Sequence, residues 1–275
     1  MKAQFNTVAI TGAGSGLGRA TALAFARQGW AVAVADINSA RGEETLAEIN
    51  ALNAKSSNGS FKVNNAPSAF YQHCDVSSED DIRALHDRCL LLWGGIGVLI
   101  NNAGVASSIS AIDRTNADEW QRVLDINLSG VVRGCAIFSQ TFKQQKSGHI
   151  VNIASIAGIT CTPGMTVYNT AKAAVIALSE TLRWELKAKN IGVTVVCPAL
   201  FKTNLTESIR NPREGEQAML DKAMAESSIS VDDIASKIVA AVKANQFMLL
   251  PHKHSWPQWW LKRLSPDLYQ WFYAR

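Results

Sequence analysis

The chain has 275 residues, 47% of them hydrophobic, and a formal charge of +4 with 18% charged residues. That length buries a large core and fits one generous α/β domain better than two small ones; the mild charge, with no dense Lys/Arg block, excludes nucleic acid as an implied partner. Five scattered cysteines (Cys74, Cys89, Cys135, Cys161, Cys197) include no C-x-x-C pair, so neither a disulfide framework nor a metal site is expected.

Met1-Lys2-Ala3-Gln4 runs directly into an apolar stretch that reads as the first strand, which leaves no room for a removable signal peptide. No uninterrupted apolar run reaches membrane-spanning length. The expectation is a cytoplasmic protein without a transmembrane segment.

Short apolar runs at residues 7–11, 31–36, 71–76, 98–102, 149–154, 192–198 and 247–251 read as strands, with helix-like stretches between them. Strands separated by helices imply right-handed crossovers and a doubly wound parallel β-sheet, a Rossmann fold, with helices on both faces. One such domain over residues 1–255 is predicted. Residues 50–68, rich in Asn, Ser, Lys and Ala, read mostly as a polar connection; residues 200–230, polar and irregular, read as a substrate lid; residues 256–275 form an aromatic-rich tail.

The first strand feeds Thr11-Gly12-Ala13-Gly14-Ser15-Gly16-Leu17-Gly18, and a helix follows from Arg19. Gly12 permits a tight turn, Gly16 admits close approach of backbone N–H groups to a pyrophosphate, and Gly18 lets helix and strand pack. Ser15 and Leu17 lie in the same turn. The second strand ends in Asp36, an acid placed to hydrogen-bond both adenosine ribose hydroxyls and to repel a 2′-phosphate. Ser15, Ile37 and Asn38 offer no cation in return, so NAD is favoured over NADP; a guanidinium from Arg19 or Arg41 would offset Asp36. The segments ending Cys74-Asp75-Val76 and Asn101-Asn102-Ala103-Gly104 reach the same sheet edge and can flank adenine and its ribose, with Asp75 alternatively capping the helix after Ser77-Ser78.

Thr11-Gly12-x-x-x-Gly16-x-Gly18, Asn101-Asn102-Ala103-Gly104, Asn127 in Asn-Leu-Ser-Gly, Ser155 and Tyr168-x-x-x-Lys172 occur in an order and spacing that resemble the classical short-chain dehydrogenases/reductases, from about Thr7 to Thr203. The resemblance implies a catalytic tetrad of Asn127, Ser155, Tyr168 and Lys172. Residue chemistry agrees with three of these roles. A free phenol has a pKa of about 10, and Lys172, four residues on along one helix face, can stabilise its anion and reach the nicotinamide ribose. Ser155 at a strand end can donate a hydrogen bond to a substrate oxygen. The resemblance alone gives Asn127, within a long helix over 118–146, a break in regular helix bonding that holds a water linked to Lys172. After the sixth strand the family usually has Pro-Gly, whereas this chain has Pro198-Ala199; altered loop geometry is expected there, with Thr203 still able to bond the nicotinamide carboxamide.

Residues 156–167 supply no charged side chain, and Val105, Leu200 and Phe201 add apolar walls, which suits a hydrophobic small molecule. Four of the eight tryptophans, Trp256, Trp259, Trp260 and Trp271, stand in the tail beside Tyr269, Phe272 and Tyr273, with Lys262 and Arg263 between them. Three uses are open for that tail: a subunit interface or pocket cover, a peripheral membrane contact whose helix Pro257 and Pro266 would keep short, and a plain core cover. The expected function is hydride transfer between NAD and a hydrophobic secondary alcohol or ketone (steroid-, acyl- or lipid-like), in a homodimer or homotetramer. An NADP-dependent 3-oxoacyl or carbonyl reductase, and a non-catalytic NAD-sensing protein, are the alternatives.

Overall fold

Seven strands, β1 (Thr7–Thr11), β2 (Ala31–Asp36), β3 (Ala69–His73), β4 (Val98–Asn101), β5 (Gly148–Ile153), β6 (Ile191–Val196) and β7 (Met248–Leu249), form one sheet in the order β3-β2-β1-β4-β5-β6-β7. Every pairing is parallel. The structure is a computed structural model that describes residues 5–55 and 66–273. The helices are α1 (Gly16–Arg27), α2 (Ser39–Lys55), α3 (Glu79–Trp93), α4 (Ala117–Leu124), α5 (Gly130–Gln145), α6 (Ala157–Thr160), α7 (Thr166–Lys187), α8 (Glu216–Ala225), α9 (Val231–Ala244), α10 (Ser255–Leu264) and α11 (Pro266–Tyr273).

β2 reads Ala-Val-Ala-Val-Ala-Asp and is buried along its whole length, as a strand covered on both faces must be. Its alternation feeds two cores. Ala33, with Leu99 and Ile150, meets Trp93 of α3 and Phe138 and Phe142 of α5; Val32 and Val34, with Ile10, meet Phe25 of α1 and Ile234 and Ile238 of α9. Because β1 lies between β2 and β4, crossovers leave it in opposite directions and a crevice opens above its C-terminal end.

Four expectations change. The third strand covers 69–73 and not 71–76, because Asp75 makes a turn: its Oδ1 accepts from the N–H (2.8 Å) and Oγ (2.7 Å) of Ser77. Ser78 caps α3, so Asp75 is not the cap. The long helix over 118–146 is α4 and α5 joined by a π-helical turn at Asp125–Ser129. The polar connection at 50–68 begins as helix, since α2 runs to Lys55; residues 56–65 lie outside the described residues. Among the described residues no helix is long and apolar enough to cross a membrane.

Candidate active site

The crevice above β1 and β4 opens into a cavity of about 1200 Å³. At its outer end the glycine turn is built by close approach. Gly12 and Gly16 have positive φ (63° and 50°), and a Cβ on Gly18 would stand 2.0 Å from the Gly12 carbonyl oxygen. Only glycine fits that contact between α1 and β1. Ser15, Gly16 and Leu17, where α1 begins, line the cavity, and the Ser15 side chain makes no cap hydrogen bond. The first-turn N–H groups therefore keep their capacity for an anion. A Cβ on Gly16 would also stand 2.7 Å from Thr203 Oγ1, so the turn faces the segment after β6 with no room to spare. This cradle fits the phosphates of a dinucleotide.

Asp36 ends β2 in the same cavity. Its Oδ2 accepts from the Gly14 N–H (2.7 Å) and its Oδ1 from the Asn38 N–H (2.8 Å), which fixes the carboxylate beside the glycine turn. The two cations that could neutralise it each have an acid of their own: Arg19 pairs with Glu48, and Arg41 with Glu207 at 2.8 Å. Asp75, Val76, Asn102, Ala103 and Gly104 also line the cavity. Asn102 has a further task that sequence reasoning missed. Its Nδ2 donates to the carbonyls of Thr11 (2.9 Å) and Gly12 (3.0 Å), and its N–H donates to Thr11 Oγ1 (3.0 Å), so it braces the glycine turn.

At the inner end the strand tips of β5 and β6 and the first turns of α7 converge. Tyr168, Lys172 and Ser155 line the cavity together. Tyr168 is buried; burial pushes its phenol up to about 12, and a hydrogen bond with Ser155 pulls the other way. Ser155 Oγ accepts from the Ala157 N–H at 3.1 Å, leaving its own proton free to donate. The Lys172 ammonium donates to the Ile153 carbonyl (2.9 Å), lies 5.8 Å from the Tyr168 ring centre, and is pushed down to about 8 by burial. The depression of the Tyr168 pKa expected from Lys172 does not set the shift in this arrangement: burial raises it, and the group that opposes burial is Ser155.

Asn127 and Gly18 stand behind the cavity wall and do not line it. Asn127 lies within the π turn and is fully buried; its Oδ1 accepts from the Val105 N–H and its Nδ2 donates to the Val105 carbonyl, both at 2.8 Å. A Cβ on Gly104 would lie 3.1 Å from Asn127 Oδ1 and 3.5 Å from Lys172 Nζ, so both groups close on one point.

Pro198 and Thr203 line the cavity between the two ends, and the Pro198 carbonyl accepts from the Ile156 N–H at 2.8 Å. Ala199, which replaces the usual glycine, donates its N–H to Nδ1 of the buried His252 at 3.2 Å. His252 was not anticipated. It comes from the segment after β7, with His254 and Gln258 of the same cavity wall, and no local motif announces it. The wall carries the apolar side chains of Ile109, Ile156, Met165, Leu200, Phe201 and Leu220 among polar ones such as Ser107 and Thr162, and it includes the charged Arg122, Arg210 and Glu226, so it is not free of charge as the sequence suggested. Arg122 is paired with Glu119 at 2.7 Å. Residues 200–230 are tied to this end: Ala106 N–H donates to Ser208 Oγ at 2.8 Å, and the buried Glu216 carboxylate accepts from the N–H groups of Ile109 and Arg213. α10 and α11 pack beside α6, where Lys262 Nζ donates to the Ile159 carbonyl (2.5 Å) and Tyr269 to that of Thr160 (3.4 Å).

Comparison with known proteins agrees with this architecture. The probable oxidoreductase EphD of Mycobacterium tuberculosis is 36% identical over 245 residues, which is 86% of this chain; the chain spans only 39% of that protein's length. A short chain dehydrogenase/reductase from Burkholderia phymatum, solved in complex with NAD, superposes with a TM-score of 0.86 at 27% identity, covering 98% of this chain and 96% of the other. A short-chain dehydrogenase from Sphingobium yanoikuyae, in complex with NADPH, gives 0.76 at 27% identity, covering 95% and 94%. The family model described as short chain dehydrogenase matches residues 6–214. With its parallel sheet, glycine turn and Ser155, Tyr168 and Lys172 in one cavity, the chain belongs to the short-chain dehydrogenase/reductase family.

Proposed function

We propose that the protein is an oxidoreductase that transfers a hydride between NAD and a hydrophobic secondary alcohol or ketone, with Tyr168 as general acid/base. The observation that carries this reading is the continuity of one cavity from Asp36 and the glycine turn to Ser155, Tyr168 and Lys172. A nicotinamide dinucleotide bound along it supplies or accepts the hydride. Every other task falls to the chain itself.

In reduction, charge grows on the substrate oxygen. Ser155, with its lone pair satisfied by Ala157, donates its proton to that oxygen as a hydrogen bond. Tyr168, kept protonated by burial, then gives its proton to the same oxygen, completing the alcohol. The phenolate left behind is the costly species in a buried site. A nearby lysine ammonium favours the phenolate electrostatically, and Lys172, 5.8 Å from the Tyr168 ring centre, is held there by the Ile153 carbonyl. Asn127 acts as a positioning residue, fixing Val105 on both backbone atoms beside Lys172.

Asp36, held by two backbone N–H groups, with Arg19 and Arg41 both occupied, supports NAD over NADP. At about 4 Å an acid repels a phosphate charge by roughly 1 to 4 kcal/mol, depending on screening. The apolar wall from Ile109 to Leu220 supports a lipid-like substrate, and residues 200–230 serve as its lid. The test is the nicotinamide absorbance change with NAD and NADP across secondary alcohols and ketones of increasing chain length. Turnover with NAD that rises with substrate apolarity is expected; turnover confined to NADP, or to short polar substrates, would overturn the corresponding part.

A further inference from the structure

Arg41 and Glu207 are 166 residues apart in sequence, yet their side chains meet at 2.8 Å across the adenosine end of the cavity, which both of them line. Arg41 leaves the first turns of α2 beside the ribose-facing acid: a Cβ on Gly14 would stand 2.9 Å from both Arg41 Cβ and Asp36 Oδ2. Glu207 belongs to the lid, in the 3₁₀ turn Asn204–Ser208. One of its oxygens takes Arg41 and the other accepts from Asn204 Nδ2 at 2.6 Å, and these bonds hold its carboxyl below the usual range.

We propose that Glu207 is a cofactor-specificity residue: by occupying Arg41 it withholds from a 2′-phosphate the guanidinium that would otherwise offset Asp36. The inference rests on the NAD reading above and names the lid residue that enforces it. A guanidinium matches phosphate oxygens in a two-pronged geometry, so a free Arg41 beside Asp36 would favour a 2′-phosphate. Paired with Glu207, its guanidinium stays charged but is already engaged, and the pair as a whole is neutral. Glu207 also adds a second carboxylate to the same pocket, repelling phosphate on its own account. Cofactor choice in this chain is then shared between the sheet, through Asp36, and the lid.

Equilibrium titration of NADH and NADPH against the wild type, Glu207→Gln, Arg41→Ala and the double variant tests this without relying on turnover. Both side chains are close to half exposed, 42% for Arg41 and 46% for Glu207, so their pairing contributes little to stability and the variants should fold. Glu207→Gln keeps an acceptor for Asn204 and removes both the charge and the carboxylate oxygen that takes Arg41. It is expected to tighten NADPH relative to NADH by about tenfold, an effect that weakens with added salt. Arg41→Ala added to Glu207→Gln should abolish that gain. An unchanged NADPH to NADH ratio in Glu207→Gln overturns the proposal, as does parallel weakening of both dinucleotides, or a gain that survives loss of Arg41. A wild type that binds NADPH more tightly than NADH would instead overturn the NAD reading, while the effect of Glu207→Gln relative to wild type would still be read from the same titrations.

Discussion

The two ends of the cavity are built in opposite ways. The dinucleotide end is set at strand tips and the glycine turn, where backbone packing leaves almost no other choice: a Cβ on Gly18 would stand 2.0 Å from a carbonyl oxygen. The substrate end is assembled from segments far apart in sequence: loop 105–109, the lid and the stretch after β7. Backbone packing constrains the first end, whereas the second is shaped by side chains.

That contrast can be broken at either end. A large effect should come from Lys172, where the ends meet. Its ammonium titrates at about 8 because burial disfavours the charge, so kcat/KM for reduction should fall as pH rises through that value. Lys172→Met should lower turnover by about a hundredfold or more and erase that limb, as a pH–rate profile of both proteins would reveal.

Behind the sheet, His149 tests whether the scaffold is independent of the site. It is buried, and since Thr194 Oγ1 donates to the Gln246 carbonyl (2.6 Å), His149 Nε2 donates to Thr194 (2.8 Å) as a neutral imidazole. Burial holds its pKa at about 4, below its unfolded value of about 6.5. The unfolded chain binds the extra proton between those values, so stability should rise with pH from about 4 to 6.5, by roughly 3 kcal/mol in all. Urea denaturation at several pH values measures this, and His149→Gln should flatten the rise.

At the dinucleotide end, Gly18→Ala should cost about 1 to 3 kcal/mol through overpacking against Gly12 and Asn102. It should weaken dinucleotide binding as well, read by thermal shift with and without NADH. At the substrate end, Lys262→Met removes the anchor of the tail on α6 and should cost about 1 kcal/mol. The KM for substrate should rise a few-fold while NADH affinity stays put.

The same contrast explains what could be read in the sequence. The sheet, the glycine turn, Asp36, and the set Ser155, Tyr168 and Lys172 were legible, because each depends on short-range spacing or on a strand end. Asn102 was legible as a site residue but not in its role, since only the fold places its amide against Thr11 and Gly12. The buried chain Asn101–Asn152–Ser179 left no pattern, because its members sit on neighbouring strands and a helix. His252 was hidden for a similar reason: the pairing of β6 with β7 carries it to Ala199 from 53 residues away.

In the proposed mechanism one cavity separates holding the dinucleotide from moving the proton. Tyr168→Phe, assayed for NADH binding and for turnover on the best substrate of the panel, tests it most directly. The account predicts turnover reduced by about a hundredfold to ten-thousandfold with NADH affinity within about twofold of wild type. Substantial turnover in Tyr168→Phe, or a loss of binding as large as the loss of rate, would contradict it.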